Sequence, residues 1–420
     1  VTAGFAVFEA TATNVLDLRS FRTDDNAGGP LTRTPGETAL QLVKLDDANM
    51  KFAKLSLSGN ATGPNSANPD PPTYLTVPYD VNDLDDGFSY AAGALTLEDG
   101  GKYLVTANTY VSGANQRTTL TQRLTLNGAE VTGSKTVVYM RGTPNSCIEG
   151  AAAIGMIIDA APNDLLSVQG IMGNGNANRE EINMQFIGGR CALTVVKLPI
   201  FPGLDPQYIR LSKNAGQDVN TATDTAITLT AQEETPDAAF SHTSGASAVT
   251  VNSDGDYLFF GSVYDTIDGI PRAVYHQGWS LNGEARLQAG QTARYTRNAS
   301  DNSGVGRQYG NASGLLASAL SANDTVEMVT KALGNSGVNS ADRFALQGVQ
   351  LASLFELDPY GVDLSVDQLA VDEATPGVSV SYDLNLRSET SGTVQVTVTA
   401  DADTLVSLDD SSFASSVDVS

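Results

Sequence analysis

Along much of the chain apolar residues recur at every second position in short runs, and each run stops at glycine, proline, asparagine or aspartate. Ala226-Ile227-Thr228-Leu229-Thr230 and Val249-Thr250-Val251 show the alternation, and Asn127-Gly128, Asn282-Gly283 and Asp254-Gly255 supply the turns. Runs arrive about every 8–12 residues with no amphipathic helix between them, a texture that predicts antiparallel sandwiches of about eight strands each.

The pattern also repeats at long range. Gly101-Lys102-Tyr103-Leu104-Val105 opens one strand and Gly255-Asp256-Tyr257-Leu258-Phe259 opens its counterpart. Downstream, Leu124-Thr125-Leu126-Asn127-Gly128 matches Trp279-Ser280-Leu281-Asn282-Gly283; the Gly-to-Asn interval is 26 residues in the first copy and 27 in the second. Ala161-Pro162-Asn163-Asp164-Leu165 then matches Ser321-Ala322-Asn323-Asp324-Thr325, and each copy closes on an apolar strand, at Ala192–Leu198 and Gln350–Leu357. Matches in one order at near-equal spacing define an internal repeat of about 150 residues.

The expected fold class is all-β: two tandem antiparallel jelly-roll sandwiches and a partial C-terminal immunoglobulin-like β-sandwich. Residues 1–72 read as the opening strands of the first jelly roll plus a long loop, or as the trailing edge of a preceding domain lending a strand. Jelly roll 1 is expected at 73–199, a linker at 200–219 on the strength of Pro199, Pro202 and Pro206, jelly roll 2 at 220–358, and the partial domain at 359–420. The chain opens on Val1 and still alternates at Ser420, so a portion of a longer polypeptide is expected.

The Gly-x-Tyr strand openings, the Leu-Asn-Gly hairpins and the Asn-Asp strand starts resemble the jelly roll of the tumour-necrosis-factor superfamily and the related complement globular heads, over residues 73–199 and 220–358. That resemblance implies binding or structural modules that assemble with copies of themselves. Leu364-Ser365-Val366-Asp367, Val371-Asp372-Glu373 and Ser379–Leu386 resemble a Calx-beta or related bacterial surface repeat over about 60 residues.

Composition narrows the setting. The 420 residues carry 24 Lys plus Arg against 48 Asp plus Glu, a formal charge of −24, which repels nucleic acid and anionic membrane surfaces. Hydrophobic residues at 41% suffice for packed cores, and no apolar run approaches the length of a membrane span. The acidic, lysine-poor and Asn/Thr/Ser-rich surface resembles that of secreted bacterial proteins of saline habitats, so an extracellular or cell-surface location is expected. Cys147 and Cys191 are too few for a disulfide scaffold; they form one bridge or remain two buried thiols.

Chemistry is sparse. The only histidines are His242 and His276, and the nucleophile elbow, the phosphate-binding loop and the dinucleotide fingerprint are all missing, so no enzyme is expected. The best metal candidate is calcium at Asp80, Asn82, Asp83, Asp85 and Asp86, where several hard oxygen donors crowd a turn closed by Gly87; Asp401, Asp403, Asp409 and Asp410 form a weaker cluster. A solvated acidic turn is the competing reading. Four Asn-x-Ser/Thr sequons occur, at Asn60, Asn298, Asn311 and Asn323. Trp279, with Tyr275 and His276, reads as core, with a sugar-stacking platform as the alternative.

The function expected is therefore a secreted structural subunit of an extracellular filament, sheath or surface layer. It would join copies of itself through sandwich contacts and strand addition from the segment bearing Val1, Phe5, Val7, Phe8, Leu16 and Leu18. The alternatives are an adhesin or receptor-binding fibre recognising surface glycans through Gly170–Arg179 and Ala299–Tyr309, and a double-jelly-roll virion protein.

Overall fold

The computed structural model describes residues 51–65, 73–113, 118–140, 148–173, 183–198, 207–213, 217–219, 223–233, 237–267, 273–284, 292–296, 309–334, 339–350 and four short strands beyond them. Among these residues there is no helix and every strand pairing is antiparallel, as the alternating pattern requires.

The first sandwich comprises β1 (Lys51–Ser56), β2 (Ala61–Asn65), β3 (Leu75–Thr76), β4 (Val81–Leu84), β5 (Phe88–Ala91), β6 (Ala94–Leu97), β7 (Gly101–Ser112), β8 (Thr118–Leu126), β9 (Ala129–Glu130), β10 (Thr136–Met140), β11 (Gly150–Ala160), β12 (Asp164–Gly173), β13 (Asn183–Phe186) and β14 (Ala192–Lys197). One sheet runs β2-β13-β7-β14-β1-β4, with β11 also on β7; the other runs β10-β8-β12-β6-β5, with β3 and β9 at its margins.

The second sandwich repeats the plan with β15 (Tyr208–Lys213), β16 (Gln217–Asp218), β17 (Thr225–Ala226), β18 (Ala231–Gln232), β19 (Phe240–His242), β20 (Ala248–Val251), β21 (Gly255–Ile267), β22 (Ala273–Leu281), β23 (Thr292–Thr296), β24 (Tyr309–Leu320), β25 (Thr325–Gly334) and β26 (Asn339–Gln350). Its sheets run β18-β15-β26-β21-β24 and β19-β20-β25-β22-β23. The unbroken β26 stands where the first sandwich uses β13 and β14, which a turn at Ile187–Arg190 separates.

β1 and β2 lie before residue 73, in the stretch read as opening strands, whereas the span 200–219, read as a linker, holds β15 and β16 of the second sandwich. The alternation of Tyr208–Lys213 outweighs the nearby prolines, because β15 pairs along its whole length with the longer β26. The two sandwiches form one compact unit ending at Ser353; Leu354–Ser420 is a second, in which β27 (Val362–Val366) pairs with β28 (Leu384–Ser388) and β29 (Val396–Thr399) with β30 (Ser416–Val419).

The repeated motifs are the joints of each sandwich. At the Gly-x-Tyr openings, Gly101 (φ 136°) and Gly255 (φ 156°) take backbone angles that a side chain disfavours. The following Tyr103 and Tyr257 bury their rings and turn their hydroxyls back to carbonyls four residues earlier, Tyr103 to Asp99 (2.6 Å) and Tyr257 to Ser253 (2.7 Å). Burial pushes the Tyr103 phenol up to about 12. The Asn-Gly hairpin and the Asn-Asp turn, far apart in sequence, clasp each other. Asn127 Nδ2 donates to Asp164 Oδ1 (2.6 Å) while Leu165 N donates to Asn127 Oδ1 (3.0 Å); Asn282, Asp324 and Thr325 reproduce both bonds at 2.7 and 2.8 Å.

Three carboxylates held by hydrogen bonds contribute to the acid limb of stability. Hydrogen bonds from Asn282 and from the Ser321 backbone hold the Asp324 carboxyl below its usual value. Lys197 does the same for Asp99, and the Ser58 hydroxyl and amide for Asp80. A carboxyl with a lowered folded-state value contributes stability above the ordinary Asp value of about 3.9 and loses it as pH falls through the lowered one. The urea midpoint is therefore expected to be flat from neutral pH to roughly pH 5 and to fall below about pH 4. An acid limb beginning well above pH 5 would assign it to other groups.

Candidate functional site

The most elaborate arrangement outside the two cores is the seam between the sandwiches. On β7, Tyr103 and Val105 face the first core, so Leu104 between them points outward; on β21, Leu258 and Phe260 alternate outward with the core residues Tyr257 and Phe259. These outward residues are nevertheless buried, as are Ile157, Val196 and Val349, although they belong to neither core. The sheets bearing them are thus covered on both faces, which an isolated antiparallel sandwich does not need.

Polar contacts stitch the seam. β11 ends its sheet, leaving every second backbone group without a strand partner. Gln347, buried on β26 of the second sandwich, grips that edge with both ends of its amide: Ile157 N donates to Oε1 at 2.7 Å, and Nε2 donates to the Ile157 carbonyl at 3.0 Å. Alongside, Arg210 donates to the Thr132 carbonyl (2.9 Å) and Ser262 to the Gly133 carbonyl (3.2 Å), while the Lys102 ammonium lies 4.7 Å from the centre of the Tyr208 ring. The side chains that bond Ile157, Thr132 and Gly133 all come from the sheet of the second sandwich that carries β15, β21 and β26, and the backbone groups they meet lie on or beside the β10–β11 edge of the first. The contact is an edge on a face.

The residues expected from sequence fall elsewhere. In the acidic run, Asp80 accepts from both the amide and the hydroxyl of Ser58 (2.6 Å each), and Asp85 accepts from Phe52 N (2.8 Å). Asn82 and Asp83 sit on β4 opposite Leu55 and Lys54, and Asp86 sits in the exposed turn before Gly87. The Asp80 and Asp85 carboxylates thus cap backbone groups. Among the described residues no three His, Cys, Asp or Glu side chains converge as metal ligands. Asp401, Asp403, Asp409 and Asp410 lie outside the described residues, as do Val1, Phe5, Val7, Phe8, Leu16 and Leu18, and residues 174–179 and 299–308 of the two loops considered for glycans.

Cys191 carries a buried free thiol that donates to the Tyr110 carbonyl (3.3 Å), and burial pushes its pKa up; Cys147 lies outside the described residues. Beside it, Tyr110 bonds the Glu149 carboxylate while Arg190 covers its ring at 4.7 Å. His242 is half-buried and contacts the Ala246 carbonyl at 3.2 Å. Trp279 is fully buried in the second core, tilted against Phe259 at 6.1 Å between ring centres, so it offers no stacking surface. Among the described residues no helix is long and apolar enough to cross a membrane.

The pattern reading missed the seam. A signal was present: Tyr103-Leu104-Val105 and Tyr257-Leu258-Phe259-Phe260 are unbroken apolar runs, the mark of a strand covered on both faces.

No protein-family model matches the chain, and no curated protein matches it. Among solved structures it is similar to the crystal structures of murine APRIL at pH 5.0, pH 8.5 and pH 8.0, with 11%, 12% and 13% identity, TM-scores of 0.26, 0.25 and 0.25, and coverage of 36% of this chain and 100% of those chains. At these values the likeness carries no argument about this chain.

Proposed function

We propose that the chain is a structural subunit of an extracellular filament, sheath or surface layer that assembles through contacts between β-sandwiches. The observation that supports this reading is the edge-on-face seam. Because the sandwiches are repeats of one plan, each owns both an edge and a face, and a contact of unlike surfaces propagates where a two-fold contact would close. Within the chain the seam uses the β11 edge of the first sandwich. β24, its counterpart, ends its own sheet in the second and packs against β10 and β11 of the first, while its Ala319 end is exposed. That exposed end is where a further copy would meet it. Strand addition by the segment Val1–Leu18 is a second route within the same proposal.

Negative-stain electron microscopy and sedimentation velocity on the native chain test it. Ordered assemblies are expected, and Ala319→Lys, which puts a charge on an exposed position of β24, should disperse them without altering far-ultraviolet dichroism. Assemblies that survive Ala319→Lys but vanish on deletion of residues 1–18 would assign them to strand addition. A chain that stays monomeric at all concentrations would overturn the proposal.

A further inference from the structure

The two cores share a feature that packing alone does not explain. Aligned on their Leu-Asn-Gly and matching hairpins, Gln122 on β8 and Gln277 on β22 occupy one position, two residues before Leu124 and Trp279 respectively. Both glutamines have no exposed surface. Each faces a threonine on the neighbouring strand, Gln122 opposite Thr136 and Gln277 opposite Thr292. In the first core neither amide atom of Gln122 has a hydrogen-bond partner within the protein, and neither does the hydroxyl of Thr136 or of the fully buried Thr109 on the opposing sheet. In the second, Thr292 reaches Gln277 Oε1 at 3.5 Å, while the Gln277 amide nitrogen and the Trp279 indole nitrogen have no protein partner.

The amide spans the gap between the sheets. A Cβ added at Gly261 on β21 would come within 3.0 Å of Gln277 Nε2 and 2.8 Å of the Trp279 ring. The position matching Gly261 in the first repeat is Ala107, and Thr109 is the next inward residue along that strand. In the first core the unpartnered polar atoms thus come from both sheets, Gln122 and Thr136 from one and Thr109 from the other.

A buried amide without partners costs free energy, and buried polar groups in native proteins are almost always satisfied by protein or ordered water. Both repeats nevertheless keep an amide at this one place. We propose that each core encloses a small hydrogen-bonding site, centred on Gln122 in the first sandwich and Gln277 in the second, that takes ordered water. The donor and acceptor inventory suits it. The amide offers two donors and one acceptor oxygen, each threonine hydroxyl offers both, and a water joins two to four such groups. In the first sandwich the water ties Gln122 and Thr136 to Thr109 across the core. In the second it takes the Gln277 and Trp279 N–H groups, with Thr292 already bonded to the amide oxygen. The site thus stitches sheet to sheet at a fixed register, independently of any assembly role.

A crystal structure of the whole chain, with the melting temperatures of Gln122→Met and Gln277→Met, tests this. The expected result is an ordered solvent peak within hydrogen-bond reach of each glutamine amide, and a fall in melting temperature of about 2–6 °C for each variant. Methionine keeps the volume and removes the amide, so a bare unpartnered amide predicts the opposite sign, a rise. A rise in either variant, or a core free of solvent in the wild-type crystal, overturns the proposal; if a variant fails to fold, the wild-type crystal alone decides.

Discussion

Gln347→Leu is expected to split the unfolding of the two sandwiches into separate transitions. Leucine fills nearly the same space but returns nothing to the Ile157 N–H and C=O, both of which Gln347 satisfies inside a buried seam. Leaving a buried polar group unpaired costs about 1–3 kcal/mol, so losing both bonds costs about 2–6 kcal/mol of coupling. The chain has one tryptophan, Trp279, in the second core. Its fluorescence therefore reports the second sandwich alone, while far-ultraviolet dichroism reports both. In the wild type the two probes should trace one urea transition; in Gln347→Leu they should separate. Coincident transitions at an unshifted midpoint would show that the seam does not couple the sandwiches.

Trp279→Ala should be the most damaging single truncation in the second sandwich, lowering its stability by about 3–5 kcal/mol. The indole is the largest fully buried side chain and packs against Phe259, which in turn lies near Tyr257 and Phe240 at 6.2 Å between ring centres in each case. Gly261 leaves the room that the ring fills, and β-sheet backbone on that side cannot collapse into the cavity without breaking its ladder with β24 and β26. Far-ultraviolet dichroism during urea unfolding should show an early transition for the second sandwich, with the first, deprived of the seam, unfolding separately and below the wild-type midpoint. If truncation costs less than about 1 kcal/mol, a cost typical of surface sites, the indole is not a core residue.

Much of this architecture is local in origin and was legible residue by residue. Alternation of period two dictates strands because successive side chains point to opposite faces, and it places Tyr103, Val105 and Ala107, like Tyr257 and Phe259, on the core side. The repeat was legible because the same joints recur: a glycine where backbone angles demand it, a tyrosine two residues on, Asn-Gly for a tight hairpin. What those joints do was not legible. The Asn127 amide meets the Asp164 carboxylate 37 residues away, and only the closed sandwich brings the two turns together. The acidic run illustrates the converse. Its donor types suit calcium, and only the structure shows that the Asp80 and Asp85 carboxylates accept from the Ser58 and Phe52 amides.

The seam and the buried glutamines stand further still from local reading. Gln347 and Ile157 are 190 residues apart, and nothing in the neighbourhood of either reveals that an amide on one sheet will hold the edge of another. A strand's sequence states which of its faces are apolar; it does not state what covers the second face, because that depends on how one finished sandwich is carried against the next. By itself the sequence determined strands, repeat, core faces and the acidic character of the surface, all consequences of side-chain alternation and turn chemistry. The tertiary structure alone decided which outward residues are buried, which carboxylates are engaged and where the two sandwiches grip each other, since each of these rests on contacts between positions that chain connectivity leaves far apart.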